Sequence, residues 1–552
     1  MIRASISHAE LRTYDLNTEQ IQPRRTSQDP LPFTSGNAAN PYLATPICPG
    51  AGGDISPPAR SVNALLVFQT DQLKIAEFVM DKLKLNKSTL QLMPGLLKTT
   101  DSGIDIANKE QINASKKLNS KLIDNISTAF SNKHRVPLKD VKSIIKKEFK
   151  AAAIKIRNSN NWDKINTNIA HGGHNYTSTL TPAGKMKTGS HDIFQQSYLD
   201  KGVCSASTTD TQHATNLWMS EITAPDKDGR PETLFNGIRH GILSPYGLKK
   251  SDPARQAGAI TRAKEVLTAA LYAKSDLLQR ALSGQVVPFN LVSTSLATAS
   301  KTGKEDGMVA DQMHAWQALT QQTPLSLTIR DKQGELKQIK VNLKVVAFSL
   351  GVNEMALKFK LGWTASDKYN DQALKQLFGP ELKFTTQPQG MVGEYLKTNP
   401  ENGEKVRELS QQLRDIFIKK SHHHDGGEPY KAAQRIAMLA YEIGAVPCWN
   451  CKSGKDRTGM LDAEIKREVI SQHQGKPLSQ PGRLQNKADK ELFQNVLVNG
   501  GNAEVQVYNT SVAGNKVIKS LPLPGMNLSF NERIGNNQVL KATQGLSKLV
   551  YS

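Results

Sequence analysis

The chain has 552 residues, 38% of them hydrophobic, enough to bury two cores and so to form one large domain with a smaller module. Its formal charge of +21 points to acidic partners, namely nucleic acid, an anionic membrane or a phosphorylated substrate. Four cysteines, Cys48, Cys204, Cys448 and Cys451, are too few for a disulfide scaffold and fit a reducing compartment. No zinc-finger or RNA-binding signature is present, which removes nucleic acid from the expected partners. No run approaches the ~18 consecutive apolar residues of a membrane span.

Residues 1–65 hold eight of the 26 prolines, and no lysine precedes Lys74. Met1-Ile-Arg-Ala-Ser-Ile-Ser-His leads into polar sequence rather than the apolar core of a signal peptide. Such a stretch cannot bury enough apolar surface to order itself and is expected to be a disordered leader. Residues 66–175 turn helical and basic. From Leu138 to Arg157, Val141, Ile145, Phe149, Ala152 and Ile156 share one helical face, while Lys142, Lys146, Lys147 and Lys150 lie elsewhere around it. That pattern suits a packed helix with a solvated basic face, a membrane-surface helix or a partner-binding module.

Residues 176–552 are expected to form an α/β domain on a mixed sheet. Leu325–Ile329 and Gln338–Phe348 alternate as strands around the turn residues Lys332-Gln333-Gly334, and Thr261–Leu282 and Lys405–Lys420 read as helices. Arg239-His240-Gly241-Ile242-Leu243-Ser244-Pro245 matches part of a histidine acid phosphatase signature, but Leu243 stands where a second arginine belongs. His422, His423 and His424 could ligate a metal on paper; three adjacent loop histidines read more simply as solvated, so neither metal nor other cofactor is expected.

The most telling segment follows. Lys431 to Gly444 has helical spacing and a glycine stop, Ala445 to Asn450 reads as a short buried strand, and Thr458 to about His473 reads as a second helix. Between strand and helix stands Cys451-Lys452-Ser453-Gly454-Lys455-Asp456-Arg457-Thr458. In such a loop, backbone amides and the helix N-terminus face a phosphoryl group, and an arginine grips two of its oxygens. The same field favours a thiolate, bringing a cysteine that titrates at about 8.5 down to roughly 3.5–7.5. Cys451 is therefore the candidate nucleophile and Arg457 the phosphate clamp. Lys452 and Lys455 add point charges that suit a multiply phosphorylated ring, or are solvated loop residues. Cys448 and Cys451 also form a Cys-x-x-Cys pair, which leaves a redox motif or half of a zinc site conceivable; Cys448 reads as core packing.

The loop from Cys451 to Met460, together with Phe348-Ser-Leu-Gly-Val-Asn-Glu-Met-Ala-Leu-Lys358, resembles the two signature segments of the SopB/IpgD/SigD inositol phosphate phosphatases, effectors exported by type III secretion. The resemblance extends to Phe235–Tyr246, His422–Tyr430 and Gly514–Lys519, and covers roughly residues 70–552. It implies removal of phosphate from phosphoinositides such as phosphatidylinositol 4,5-bisphosphate and from inositol polyphosphates. Residues 1–65 would then be an export and chaperone-binding leader, and residues 66–175 a module for a host Rho-family GTPase. The protein would act in the host cytoplasm and at the host membrane surface.

By the same resemblance, Lys452, Ser453, Gly454, Lys455 and Thr458 would contact substrate, with Lys516 and Lys519 as auxiliary phosphate contacts or ordinary surface lysines. Asp456 is either the general acid for the leaving alkoxide or a partner that orients Arg457. Transfer of the phosphoryl group to another inositol hydroxyl instead of water, and a GTPase-binding scaffold with secondary phosphatase activity, remain alternatives.

Overall fold

The computed structural model describes residues 61–90, 107–299, 305–352, 363–383, 387–423, 428–482, 486–518 and 533–550. Most of the expected leader, the second half of the segment from Phe348 to Lys358, His424 and Lys519 lie outside these residues.

Three helices come first: α1 (Val62–Lys82), α2 (Lys109–His134) and α3 (Leu138–Ser159). Ser61 caps α1 by accepting from the Ala64 amide at 3.1 Å, and Asn108 and Gln111 form a reciprocal capping box on α2, each satisfying an amide that the helix itself leaves free. Ile75, Val79, Leu122, Ile126, Ile145 and Phe149 form a core of their own, each large aliphatic side chain contributing ~1.5–3 kcal/mol by leaving water. On α3, Val141, Ile145, Phe149 and Ala152 are buried and Ile156 packs beside them, as the spacing predicts.

An eight-stranded mixed sheet follows. Its strands are β1 (Ile165–His171), β2 (His174–Pro182), β3 (Trp218–Pro225), β4 (Pro231–Gly241), β5 (Val286–Ser295), β6 (Leu325–Arg330), β7 (Leu336–Ser349) and β8 (Val446–Cys451). The order is β1-β2-β3-β4-β8-β5-β7-β6. β4, β8, β5 and β7 run parallel, flanked by antiparallel strands on both sides. β1 and the first two residues of β2 lie before residue 176, so the sheet begins inside the stretch expected to be helical; Trp162 stacks on Trp218 of β3 with ring centroids 5.2 Å apart and anchors that entry.

Helices cover both faces. One face packs against α4 (Pro253–Tyr272), α5 (Ser275–Leu282) and α6 (Asp306–Thr320) through Val266, Leu278, Trp316 and Leu319. The other packs against α7 (Trp363–Phe378), α8 (Gly390–Leu396), α9 (Gly403–Ile418), α10 (Lys431–Glu442), α11 (Asp456–His473) and α12 (Lys487–Asn499). α13 (Asn502–Thr510) and α14 (Asn537–Gln544) close the described chain.

The single helix expected over Thr261–Leu282 is two. Asp252 caps α4 with Pro253 in its first turn, and the helix stops at Tyr272 before α5 starts at Ser275. Past α10, Gly444 has φ +75, the left-handed conformation that ends a helix at little cost for glycine.

Candidate active site

Every residue of β8 is buried, and alternate side chains enter opposite cores. Val446 and Cys448 join the layer under α4 and α6, whereas Trp449 and Cys451 join the layer under α10 and α11. Cys448 and Cys451 thus leave opposite faces of one strand. Half of a zinc site or a thioredoxin-like pair is excluded by that geometry, and burial pushes the Cys448 thiol far above its ordinary value. Cys451 ends β8 between two parallel strands, with Gly241 of β4 opposite it and Ser295 of β5 opposite Asn450. Open α/β sheets place ligands at this carboxyl edge.

The loop turns tightly back over β4. Gly454 has φ +64, and a Cβ there would stand 2.5 Å from the Gly241 nitrogen and the His240 carbonyl, so no other residue fits without moving backbone. The Ser453 carbonyl accepts from Asn216 Nδ2 at 3.1 Å. Asn216 is fully buried at φ +51, and its Oδ1 accepts from Trp218 Nε1 at 2.8 Å and Asn509 Nδ2 at 2.7 Å. Thr458 lies behind the loop, its hydroxyl accepting from the Cys451 amide at 2.9 Å and its carbonyl accepting from Trp449 Nε1 at 3.2 Å.

Cys451 sits at the N-terminal end of α11. Burial opposes its thiolate, but Arg457 and hydrogen bonds from Thr458 outweigh burial and hold the thiol below its ordinary value. Behind it, fully buried Arg239 of β4 donates to Asn502 at 2.6 Å and Asp462 at 3.4 Å, and Lys466 joins Asp462 at 3.0 Å. This ion cluster pins α11, and hence the loop, to the sheet; burial lowers Arg239 below the usual guanidinium range, while Asp462 and the Cys451 sulfur pull the other way.

Arg457 is held from an unexpected direction. Its Nη1 donates to the Leu296 carbonyl at 2.8 Å and to Glu305 Oε2 at 3.1 Å, and its Nη2 donates to Glu305 Oε1 at 2.6 Å. Glu305 Oε2 also accepts from the Thr298 amide at 2.9 Å. Of the five guanidinium N–H donors, three are used; Nε–H and the second hydrogen of Nη2 remain on one edge, the arrangement that meets two phosphate oxygens. Burial raises the Glu305 carboxyl, but Arg457 beside it brings it below the usual value.

A cavity of about 780 Å³ opens over the sulfur. Cys451, Lys452, Ser453, Lys455, Asp456, Arg457 and Lys516 line it, whereas Gly454 and Thr458 support the loop from behind. Lys455 is buried with its Nζ 3.4 Å from Asp456 Oδ1, and the Lys452 ammonium lies 4.8 Å from the Tyr246 ring centre. The carboxylate bonded to Arg457 is that of Glu305, while the Asp456 carboxylate faces Lys455. Lys519 lies outside the described residues. Glu305, Asn216 and Arg239 escaped the sequence reading; Arg239 stood within a noted motif, and the other two carry no local pattern.

His240 is fully buried with Nδ1 2.6 Å from the Gly241 carbonyl, and burial lowers it to about 4. His240 has no exposure and does not line the cavity, so its ring cannot reach a phosphoryl group there, which argues against the histidine acid phosphatase signature as the catalytic one. The histidines after α9 are also not solvated as expected: His422 packs on Phe417 at 4.5 Å, and His423 stacks on Trp363 at 4.4 Å while bonded to Asp367 at 2.8 Å. Among the described residues, Asp367, His422 and His423 are the group able to hold a metal, their donor atoms all within 4.8 Å of one another.

Sheet, loop and cavity define an α/β protein with a Cys-x5-Arg loop at the sheet's carboxyl edge. Residues 55–550 match the family model described as Enterobacterial virulence protein IpgD, and the chain belongs to that family. It is 47% identical over 497 residues to inositol phosphate phosphatase SopB of Salmonella typhi, covering 89% of this chain and 88% of that one. To inositol phosphate phosphatase IpgD of Shigella flexneri it is 46% identical over 396 residues, 71% of this chain and 73% of the relative. Among solved structures, a Legionella phosphoinositide phosphatase matches with a TM-score of 0.58 at 11% identity, covering 88% of this chain and 90% of that one. The Legionella phosphoinositide phosphatase SidF matches with a TM-score of 0.54 at 12% identity, covering 90% and 91%. Identities this low speak for a shared fold alone.

Proposed function

We propose that the chain is an inositol phosphate and phosphoinositide phosphatase working through a cysteinyl phosphate. The observation that carries this reading is Cys451 in the lining of a cationic cavity, beside an arginine that keeps two guanidinium N–H donors on one edge. The thiolate attacks phosphorus, an S–P bond forms, and the P–O bond to the inositol ring breaks. Asp456, at the cavity wall, gives the leaving alkoxide its proton. Water, giving a proton to the Asp456 carboxylate left by the first step, then attacks the cysteinyl phosphate, breaking the S–P bond to release inorganic phosphate and restore the thiolate. Arg457 and the loop amides stabilise the transferring oxygens throughout. Lys452 and Lys455 bind the remaining ring phosphates of substrates such as phosphatidylinositol 4,5-bisphosphate.

Family membership supports the wider setting: export by type III secretion with a chaperone held by the leader, action in the host cytoplasm and at the host membrane surface, and binding of a Rho-family GTPase by α1–α3. No helix among the described residues is long and apolar enough to cross a membrane.

Phosphate release from phosphatidylinositol 4,5-bisphosphate and from inositol polyphosphates, compared between the native chain and Cys451→Ser, tests the chemistry. The serine variant should still bind substrate and release no phosphate; turnover by Cys451→Ser sinks the mechanism. Pull-down of a purified GTP-loaded Rho-family GTPase by the same full-length variant should succeed, and its failure removes the GTPase from the proposal.

A further inference from the structure

One wall of the same cavity is formed by α3. Lys146, Phe149, Lys150, Ala153, Ile154 and Arg157 line it, the three-and-four spacing of a single helical face. Seven cationic side chains line the whole cavity against one carboxylate, that of Asp456. Most of the seven have partners. Arg457 is bound by Glu305, Arg157 faces Asp71 at 3.5 Å, Lys455 faces Asp456, and Lys452 covers Tyr246. Of the acids near α3, Glu148 is paired with Lys82 at 2.7 Å and Asp124 with Lys142 at 2.6 Å. Among the described residues, Lys146 and Lys150 have no acidic partner, and both are exposed in the cavity wall.

Two ammonium groups one helical turn apart, lining the same cavity of about 780 Å³ as Cys451, form half of a binding site for a polyanion. We infer that Lys146 and Lys150 are a second phosphate subsite, which holds a ring phosphate remote from the one being transferred. The helical module therefore completes the substrate cavity and selects multiply phosphorylated inositols. This rests on the phosphatase reading above. Two unmatched lysines on a protein already strongly basic are otherwise costly, since like charges repel in the empty cavity; a phosphate between them turns that repulsion into attraction. The chemistry recognised is a vicinal or nearby phosphomonoester on the ring, carried either by a lipid headgroup or by a free inositol polyphosphate.

The test uses the full chain and three soluble substrates: a small aryl phosphate, an inositol tetrakisphosphate and a short-chain phosphatidylinositol 4,5-bisphosphate below its micelle concentration. Lys146→Ala/Lys150→Ala is compared with Lys142→Ala/Lys147→Ala, a pair of equal charge on the same helix that does not line the cavity. The first pair should raise KM for the tetrakisphosphate about tenfold or more, at least five times its effect on the aryl phosphate, and raising salt should shrink the difference. The control pair should leave all three substrates alone. A selective rise with either soluble inositol substrate supports the subsite, and which one responds identifies the source of the phosphate. Equal effects of the two pairs, or equal losses on all three substrates, overturn it. A native chain that turns over none of the substrates refutes the phosphatase reading instead, so the two failures are distinct.

Discussion

Replacing Glu305 by glutamine separates the clamp from the charge that holds it. Glu305 Oε2 accepts from both Arg457 Nη1, at 3.1 Å, and the Thr298 amide, at 2.9 Å, while Oε1 accepts from Nη2 at 2.6 Å. A glutamine keeps one oxygen. Its NH₂ must then face either the guanidinium or the amide, placing donor against donor. The two side chains are 15% and 20% exposed, so the pair lies between surface ion pairs at about 0–1 kcal/mol and buried ones at about 3–5 kcal/mol when broken. An intermediate loss of ~2–3 kcal/mol, at ~1.36 kcal/mol per decade, lowers kcat/KM roughly 30- to 150-fold. In the proposed mechanism Arg457 touches the phosphoryl group being transferred, so an aryl phosphate and an inositol polyphosphate should lose activity alike. Steady-state kinetics on both, with thermal unfolding to check that the chain is folded, measure this. A loss below threefold on both substrates, or one confined to the inositol substrate, refutes the argument that Glu305 positions Arg457.

Because the Cys451 thiol is held below its ordinary value, its thiolate persists as pH falls and is lost only on passing through that lowered value. The rate of alkylation at Cys451, followed by mass spectrometry against pH, should therefore reach half its plateau below pH 8.5, the ordinary thiol value of about 8.5 being the reference, and Cys448 should stay unmodified. Asp456→Asn should depress hydrolysis of inositol substrates about 10²-fold or more and spare an activated aryl phosphate, whose leaving group needs no proton; equal losses on both would move the acid elsewhere. Gly454→Ala puts a methyl 2.5 Å from the Gly241 nitrogen at positive φ, so it should cost about 1–3 kcal/mol of stability and most activity, and an unchanged unfolding midpoint would contradict the close approach.

The reactive loop was legible in the sequence because its parts are local. A buried six-residue strand, a glycine-containing turn and a helix with apolar periodicity all follow from neighbouring residues, and they place Cys451 at a strand end and Arg457 in the first turn of a helix. The hairpin of β6 and β7 and the buried face of α3 were readable for the same reason. Elsewhere the periodic pattern ran across the break between α4 and α5, and nothing local revealed that Trp162 stacks on Trp218 of β3.

Tertiary structure decided what each charge meets. Placing β8 between β4 and β5 brings Glu305 to Arg457 across 152 residues and Asn216 to the loop across 237, and no periodicity encodes pairs so distant. The same order buries His240 beneath the loop although its motif reads as catalytic, and strand alternation sends Cys448 away from Cys451 despite their spacing. The lysines of α3 read as a solvated face because a helix shows only which residues share a side; packing against the sheet turns Lys146 and Lys150 toward the cavity that holds Cys451.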